Sequence, residues 1–303
     1  MLSLMWTDRR MAFTCAEMPG FLFTYSVLTF IVLRFCVTLF NFLSNPKLGK
    51  YGKHYTSRVS VVIQAAGGST SPLPLLHSLR DQDYQHIEVI LEHSGKQAVD
   101  PEVKTFCEQD SRFSCRHKTG TGNPEGMAPT GDYLLFLDSR TLIRKGFINS
   151  LIYRASVFDL TLLSIFPTSS FSGFKNHCFV PLDSFLLLNL VPLRLIRLIS
   201  SPVFAAGSNE CMFFDAGTYR NQRWGQRASN RMPEATEMMK VVKQEGYRVE
   251  ALLGNKLIYN SVPAHADHLL ADTSGLLFRK FGNSIAAWSI YVLFDAKRSI
   301  LTF

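Results

Sequence analysis

Four short apolar runs limit this chain more than any other feature. They read RVSVVIQAAG (58–67), HIEVILEHSG (86–95), DYLLFLD (132–138) and LTLLSIFP (160–167). Each is too short for a core helix, and each stops abruptly at small, polar or acidic residues, as a buried strand does. Between them lie helical patterns. Leu75, Leu76 and Leu79 recur at helical spacing behind Pro72 and Pro74, and LIRKGFINSLIYRAS (142–156) follows the third run. Strands alternating with helices predict an α/β domain around a mostly parallel sheet. Polar sequence up to about Thr130 reads as irregular. In such sheets ligands bind at the carboxyl ends of the strands. That edge would gather Gln64 to Gly68, Glu92 to Ser94, and Asp138 to Arg140 in one crevice.

A second feature precedes the domain. Phe21 to Leu43 reads FLFTYSVLTFIVLRFCVTLFNFL, apolar over roughly 23 residues and long enough to cross a bilayer. Arg34 interrupts it and is costly at mid-membrane unless it snorkels or faces protein. A membrane span is the reading adopted, with a surface helix or a buried core helix as alternatives. Lys47, Lys50, Lys53 and Arg58 follow it, so the positive excess places the main domain on the cytoplasmic side. Cys178 to Ser200 is a second greasy stretch, broken by Pro181 and Pro192, with Arg194 and Arg197 three apart. It reads as an amphipathic helix at a membrane surface, the alternative being a buried domain helix. The apolar end, with Trp288 and Tyr291, reads as a further membrane-contacting segment. The expected organisation is residues 1–46 with the anchor, 47–260 as the folded domain, and 261–303 as a membrane-associated tail.

Composition narrows the partners. A formal net charge of +8 suits nucleotide phosphates or anionic lipid. The basic residues accompany no nucleic-acid-binding spacing, so nucleic acid is not an expected partner. The six cysteines form no Cys-x-x-Cys pair, which argues against a disulfide framework or a zinc site. TGTGNPEG lacks the leading strand of a dinucleotide fingerprint. His265, Asp267 and His268 have no partner at metal-ligand spacing and read as a surface loop.

Four segments in order carry a resemblance: the apolar anchor, VSVVIQAAGGSTSPLPLLHSLRDQDYQHIEVI, GDYLLFLDSRTL, and EATEMMKVVKQEGYRVEALLG. SSPVFAAGSNECMFFDAGTYRNQ and LLFRKFGNSIAAWSIYVLF extend it. Together they resemble family 2 glycosyltransferases of the GT-A fold, the nucleotide-diphospho-sugar transferase-like fold. The likeness is closer to the membrane-anchored bacterial branch that includes carotenoid glycosyltransferases. It implies a nucleotide-sugar donor and a lipid or glycan acceptor. It places nucleotide-binding positions at Gln64, Ala65, Glu92, His93, Asp138 and Arg140, and a catalytic base at Glu234 or, one turn on, Glu237.

The departures are chemical. The resemblance implies a pair of acids ending the second strand, an Asp-x-Asp that holds Mn²⁺ or Mg²⁺, and a later Glu-Asp pair that supplies the base. Here those positions read Glu92-His93-Ser94, Asp138-Ser139-Arg140 and Glu234-Ala235. Sugar transfer needs a neutralised leaving diphosphate and a base within reach of the acceptor hydroxyl. Asp138 alone is one hard ligand, so Mn²⁺ or Mg²⁺ is expected only if Asp138 still binds metal, and no other metal ligands are assigned. Arg140 could supply the missing charge, because guanidinium binds phosphate in a bidentate way. Otherwise Asp138 caps a turn, Arg140 is solvated, and the two glutamates are a solvated helix start. The expectation is a membrane-anchored glycosyltransferase-like protein. The alternative is an inactive homologue, a membrane-bound scaffold or binding partner.

Overall fold

A computed structural model describes residues 24–51, 55–66, 71–94, 100–117, 129–170, 191–227 and 234–261. The tail beyond residue 261, TGTGNPEG, and residues 178–190 of the second greasy stretch therefore lie outside the described residues. α1 (Thr24–Ser44) is the apolar N-terminal helix, with mean hydropathy 2.0 and 6% of its most apolar window buried. It has the length to cross a membrane, since 21 residues at 1.5 Å each reach about 30 Å.

The domain follows as β1 (Val59–Ala66), α2 (Leu73–Arg80), β2 (Ile87–Ser94), α3 (Pro101–Gln109), β3 (Phe113–His117) and β4 (Tyr133–Asp138). Then come β5 (Thr141–Ile143), α4 (Phe147–Phe158), β6 (Leu162–Phe166), β7 (Thr168–Ser170) and α5 (Leu193–Leu198). The rest is β8 (Cys211–Asp215), α6 (Ala216–Asn221), α7 (Trp224–Arg227), α8 (Ala235–Gln244), β9 (Val249–Leu253) and β10 (Ile258–Ser261).

The main sheet has seven strands in the order β3-β2-β1-β4-β8-β6-β9. Among the described residues every pairing in it is parallel except those of β8, which runs antiparallel to β4 and β6. Period-two alternation separates two cores. Val59, Val61, Ile63, Leu135 and Leu137 face α2, α3 and α4 on one side. Val62, Leu134, Phe136, Met212 and Phe214 face Trp224 and the Met238, Met239 and Val242 stripe of α8 on the other. The small sheet β5-β10-β7 rims the carboxyl edge.

Two expectations change. The stretch read as irregular before Thr130 contains α3 and β3. Asp100 caps α3 by accepting from Glu102 N at 3.1 Å, Pro101 opens it, and Val103 and Phe106 are its buried residues. Two apolar positions are too few to show a period, and an edge strand with little buried surface leaves no apolar run. The described part of the second greasy stretch is also short. α5 has six residues and buries Leu193 and Ile196 in the core on the α8 side of the sheet, while Leu198 stays exposed.

Candidate functional site

The carboxyl edge of the sheet assembles one row. In register, Arg116 lies beside Glu92, Glu92 beside Gln64, and Gln64 beside Asp138. The antiparallel β8 adds a fifth place. Leu137 pairs with Cys211, and Asp138 N donates to the Glu210 carbonyl at 3.0 Å, which sets Glu210 opposite Asp138. Residues opposite one another share a sheet face. By the two-residue alternation this is the face of Phe136, Met212 and α8. Ala65 is beside His93, one step further out. The backbone alone is described at Gln64 and Ala65.

Asp138 and Arg140 close on each other. Asp138 Oδ1 accepts from Arg140 N at 2.9 Å and from Nε at 3.0 Å, and Oδ2 accepts from Nη2 at 3.2 Å. The side chains are 28% and 44% exposed, respectively, so the pair sits at the mouth of the crevice. Thr141 Oγ1 donates to the Asp138 carbonyl at 2.8 Å and fixes the turn. Glu210 accepts from Ser208 Oγ at 3.2 Å and from Asn260 Nδ2, which arrives from the small sheet.

Glu234 reaches the same region through the backbone. The 207–209 turn holds the start of α8: Asn209 Oδ1 accepts from Ala235 N, and Thr236 Oγ1 accepts from Gly207 N at 3.3 Å. A Cβ at Gly207 would come within 2.9 Å of Ala235 Cβ, so the contact requires glycine. Glu234, half-buried, is the N-cap of α8, one residue ahead of that contact. Glu237 lies one turn later, 59% exposed, and pairs with Lys240 at 2.7 Å. Beneath the row, burial and then the Glu92 carboxylate push the Tyr219 phenol up to about 12. Tyr219 packs against Phe136, Phe214 and Trp224, a rigid aromatic floor next to Glu92. Trp224 is buried there, and its Nε1 donates to Glu245 at 2.8 Å.

Glu210 escaped the sequence reading. It opens the run ECMFFD, whereas the strand-end signal is an acid that closes an apolar run. In an antiparallel strand the beginning lies at the carboxyl edge of the sheet, so an acid before an apolar run is the signal.

These residues do not suit a hard divalent cation. Such an ion needs several oxygens free of competing donors. Both Asp138 oxygens are taken by a guanidinium, and Glu210 is bound to Ser208 and Asn260. Among the described residues no group of three His, Cys, Asp or Glu side chains gathers as a metal centre. What the row offers is a guanidinium held on a partly exposed carboxylate at the tip of a central strand.

No protein-family model matches the chain, and no curated protein matches it. Solved structures do. The mannosyltransferase PcManGT from Pyrobaculum calidifontis, solved with GDP-Man and Mn²⁺, is similar with a TM-score of 0.53 and 14% identity. The match covers 80% of this chain and 70% of that one. S. aureus TarS 1-349 matches with a TM-score of 0.46 and 14% identity, over 67% of this chain and 60% of that one. Its complex with UDP-GlcNAc gives 0.45 and 14%, over 69% and 59%. At such identity the likeness is one of fold. The seven-stranded mixed sheet, its flanking helices and the match to the mannosyltransferase together give this chain a GT-A-like glycosyltransferase fold.

Proposed function

We propose that this chain is a membrane-anchored, family 2-type glycosyltransferase homologue of the bacterial anchored branch, and that its crevice takes a nucleoside diphosphate sugar without a divalent metal. One observation carries the reading: the in-register row Arg116, Glu92, Gln64, Asp138, Glu210, with Arg140 held on Asp138, its fourth place. Arg140 meets the diphosphate and neutralises the leaving group. Asp138 aims the guanidinium. Gln64, Ala65, Glu92 and His93 line the nucleoside side. Glu234 and Glu210 are the carboxylates nearest the acceptor side, and either would take the proton from the acceptor hydroxyl. Glu237 is a weaker candidate, because it is turned to solvent with Lys240. The acceptor is a lipid or glycan at the cytoplasmic membrane face, with α1 as anchor and residues 261–303 as a second membrane-associated segment. In support, the mannosyltransferase of similar fold holds GDP-Man, there together with Mn²⁺.

A transfer and donor-hydrolysis assay across UDP- and GDP-sugars, in EDTA, tests the activity. Turnover in EDTA that falls in Glu234→Gln or Glu210→Gln supports it. Nucleotide binding without turnover would leave a binding homologue. No nucleotide binding at all would make the chain a non-catalytic membrane scaffold, a reading that Ala235 in place of the family's second acid favours.

A further inference from the structure

Far from the crevice, at the β9 edge of the sheet, one carboxylate is surrounded by three guanidiniums. Glu250 is fully buried. Arg154 from α4 grips it with two bonds of 2.7 Å. Arg194 and Arg197 from α5 approach the same Oε1, each at 3.5 Å. Arg154 and Arg197 both stack on Phe158, with guanidinium carbons 4.0 and 3.8 Å from the ring centroid. Three cations on one anion leave a surplus of two positive charges, and no second carboxylate meets these guanidiniums among the described residues. Arg197 Nη1 is buried and has no hydrogen-bond partner. Arg194 Nη2 also donates to the Asn45 carbonyl at 3.5 Å, and Arg194 and Arg197 keep 24% and 20% of their side chains exposed, so the cluster reaches the surface. Burial, and then the neighbouring Arg154 charge, pull Arg194 below the usual arginine range.

The position of this surplus identifies its counter-ion. Arg194 Nε donates to the Ser44 carbonyl at 3.2 Å, the last residue of α1. Asn41, in the last turn of α1, accepts from Leu193 N at 3.0 Å and donates to the Val191 carbonyl at 2.8 Å. α5 is therefore bound to the foot of α1. If α1 spans the bilayer, its foot lies at the level of the lipid headgroups. Leu198 and Val203, 66% and 84% exposed, add apolar side chains beside the arginines, as at a membrane interface.

We propose that Arg194 and Arg197 form a binding site for the phosphate of an anionic phospholipid headgroup, which seats the domain against the membrane at the foot of α1. The site rests on the reading of α1 as a membrane span. It serves docking and is separate from the donor crevice: β9 lies three strands from β4.

The test uses the full chain, purified in a neutral detergent. Phosphatidylglycerol or phosphatidylcholine is added, and bound lipid is counted by native mass spectrometry. The wild type is expected to retain phosphatidylglycerol over phosphatidylcholine. Arg194→Gln and Arg197→Gln should each weaken that retention about tenfold, the loss of one charge-assisted contact. Arg194→Lys and Arg197→Lys guard against misfolding: they keep the charge and should keep the preference. Equal retention of the two lipids, Gln variants that bind like the wild type, or loss of preference in the Lys variants overturns the site. Displacement of the lipid by an equal concentration of inorganic phosphate overturns it too, by making it a free-anion site. Carbonate extraction of membranes separates the two readings. Release of the wild type overturns the anchor and the lipid site together, while retention of a wild type that shows no lipid preference overturns the lipid site alone.

Discussion

Two carboxylate–guanidinium pairs in this domain have the same chemistry and opposite roles. Asp138 and Arg140 are two residues apart, partly exposed, and close on each other at the crevice mouth. Glu250 and Arg154 are 96 residues apart, buried, and tie β9 to α4. An exposed local pair contributes little to stability, because water and salt screen it and two side chains must be held in place. A buried pair also gains little relative to an apolar substitute, but breaking it is costly because the surviving charge is left without water. The first pair can therefore open and exchange partners with a ligand, and the second cannot.

The largest expected effect comes from breaking the buried pair. Arg154→Met should cost about 3 kcal/mol, the low end for such a break, because Arg194 and Arg197 remain near Glu250. Thermal unfolding in detergent would record it as a fall of roughly 2–4 °C per kcal/mol for a domain of this size. Adding Glu250→Met to it should not recover that loss, because Arg194 and Arg197 would then face no carboxylate. If the single variant melts like the wild type, the two pairs do not differ as claimed.

Lys243 sharpens the contrast, being a buried cation held without a carboxylate. Its Nζ donates to the carbonyls of Ile199 at 2.9 Å, Ser201 at 3.4 Å and Phe204. Lys243→Met should cost about 1–3 kcal/mol by stranding these acceptors. Burial also pulls the Lys243 ammonium down to about 8. The unfolded chain, with its lysine near 10.4, then binds more protons than the folded one between those two values. Stability therefore rises with pH through that window. The rise should be absent in Lys243→Met, as unfolding midpoints across pH 7.5 to about 10.5 would show.

At the exposed pair the expected effect moves from stability to binding. Arg140→Ala should leave the unfolding midpoint within about 0.5 kcal/mol of the wild type and weaken nucleoside diphosphate binding about tenfold. The smallest effect is expected at Glu237, whose pair with Lys240 contributes about 0.3–0.5 kcal/mol. Glu237→Gln should leave any donor turnover unchanged, whereas a large loss would make it the base in preference to Glu234 and Glu210.

What the sequence made legible follows the same division. Runs such as DYLLFLD show themselves because a central strand is buried on both faces, whereas α8 enters through the resemblance carried by EATEMMKVVKQEGYRVEALLG. α3 and β3 did not show themselves, because an edge helix and an edge strand bury few side chains. At the crevice, the strand ends pointed to Gln64, Glu92 and Asp138, which the sheet aligns in one row. Glu210 was hidden because strand direction is a tertiary property: β8 is antiparallel, so its first residues lie where its neighbours end. The Arg154–Glu250 contact was hidden too, since no local pattern links residues 96 positions apart.

The central claim is that the charge of Arg140 does the work of a metal ion, and calorimetric titration with UDP and GDP tests it most directly. The titration is run in EDTA and again with Mn²⁺, on the wild type, Arg140→Asp and Asp138→Ala. The expected result is wild-type binding in EDTA that weakens with salt, no binding by Arg140→Asp in EDTA, and recovery of Arg140→Asp when Mn²⁺ is added. Wild-type binding that appears only with Mn²⁺ and vanishes in Asp138→Ala would contradict it and make Asp138 a metal ligand.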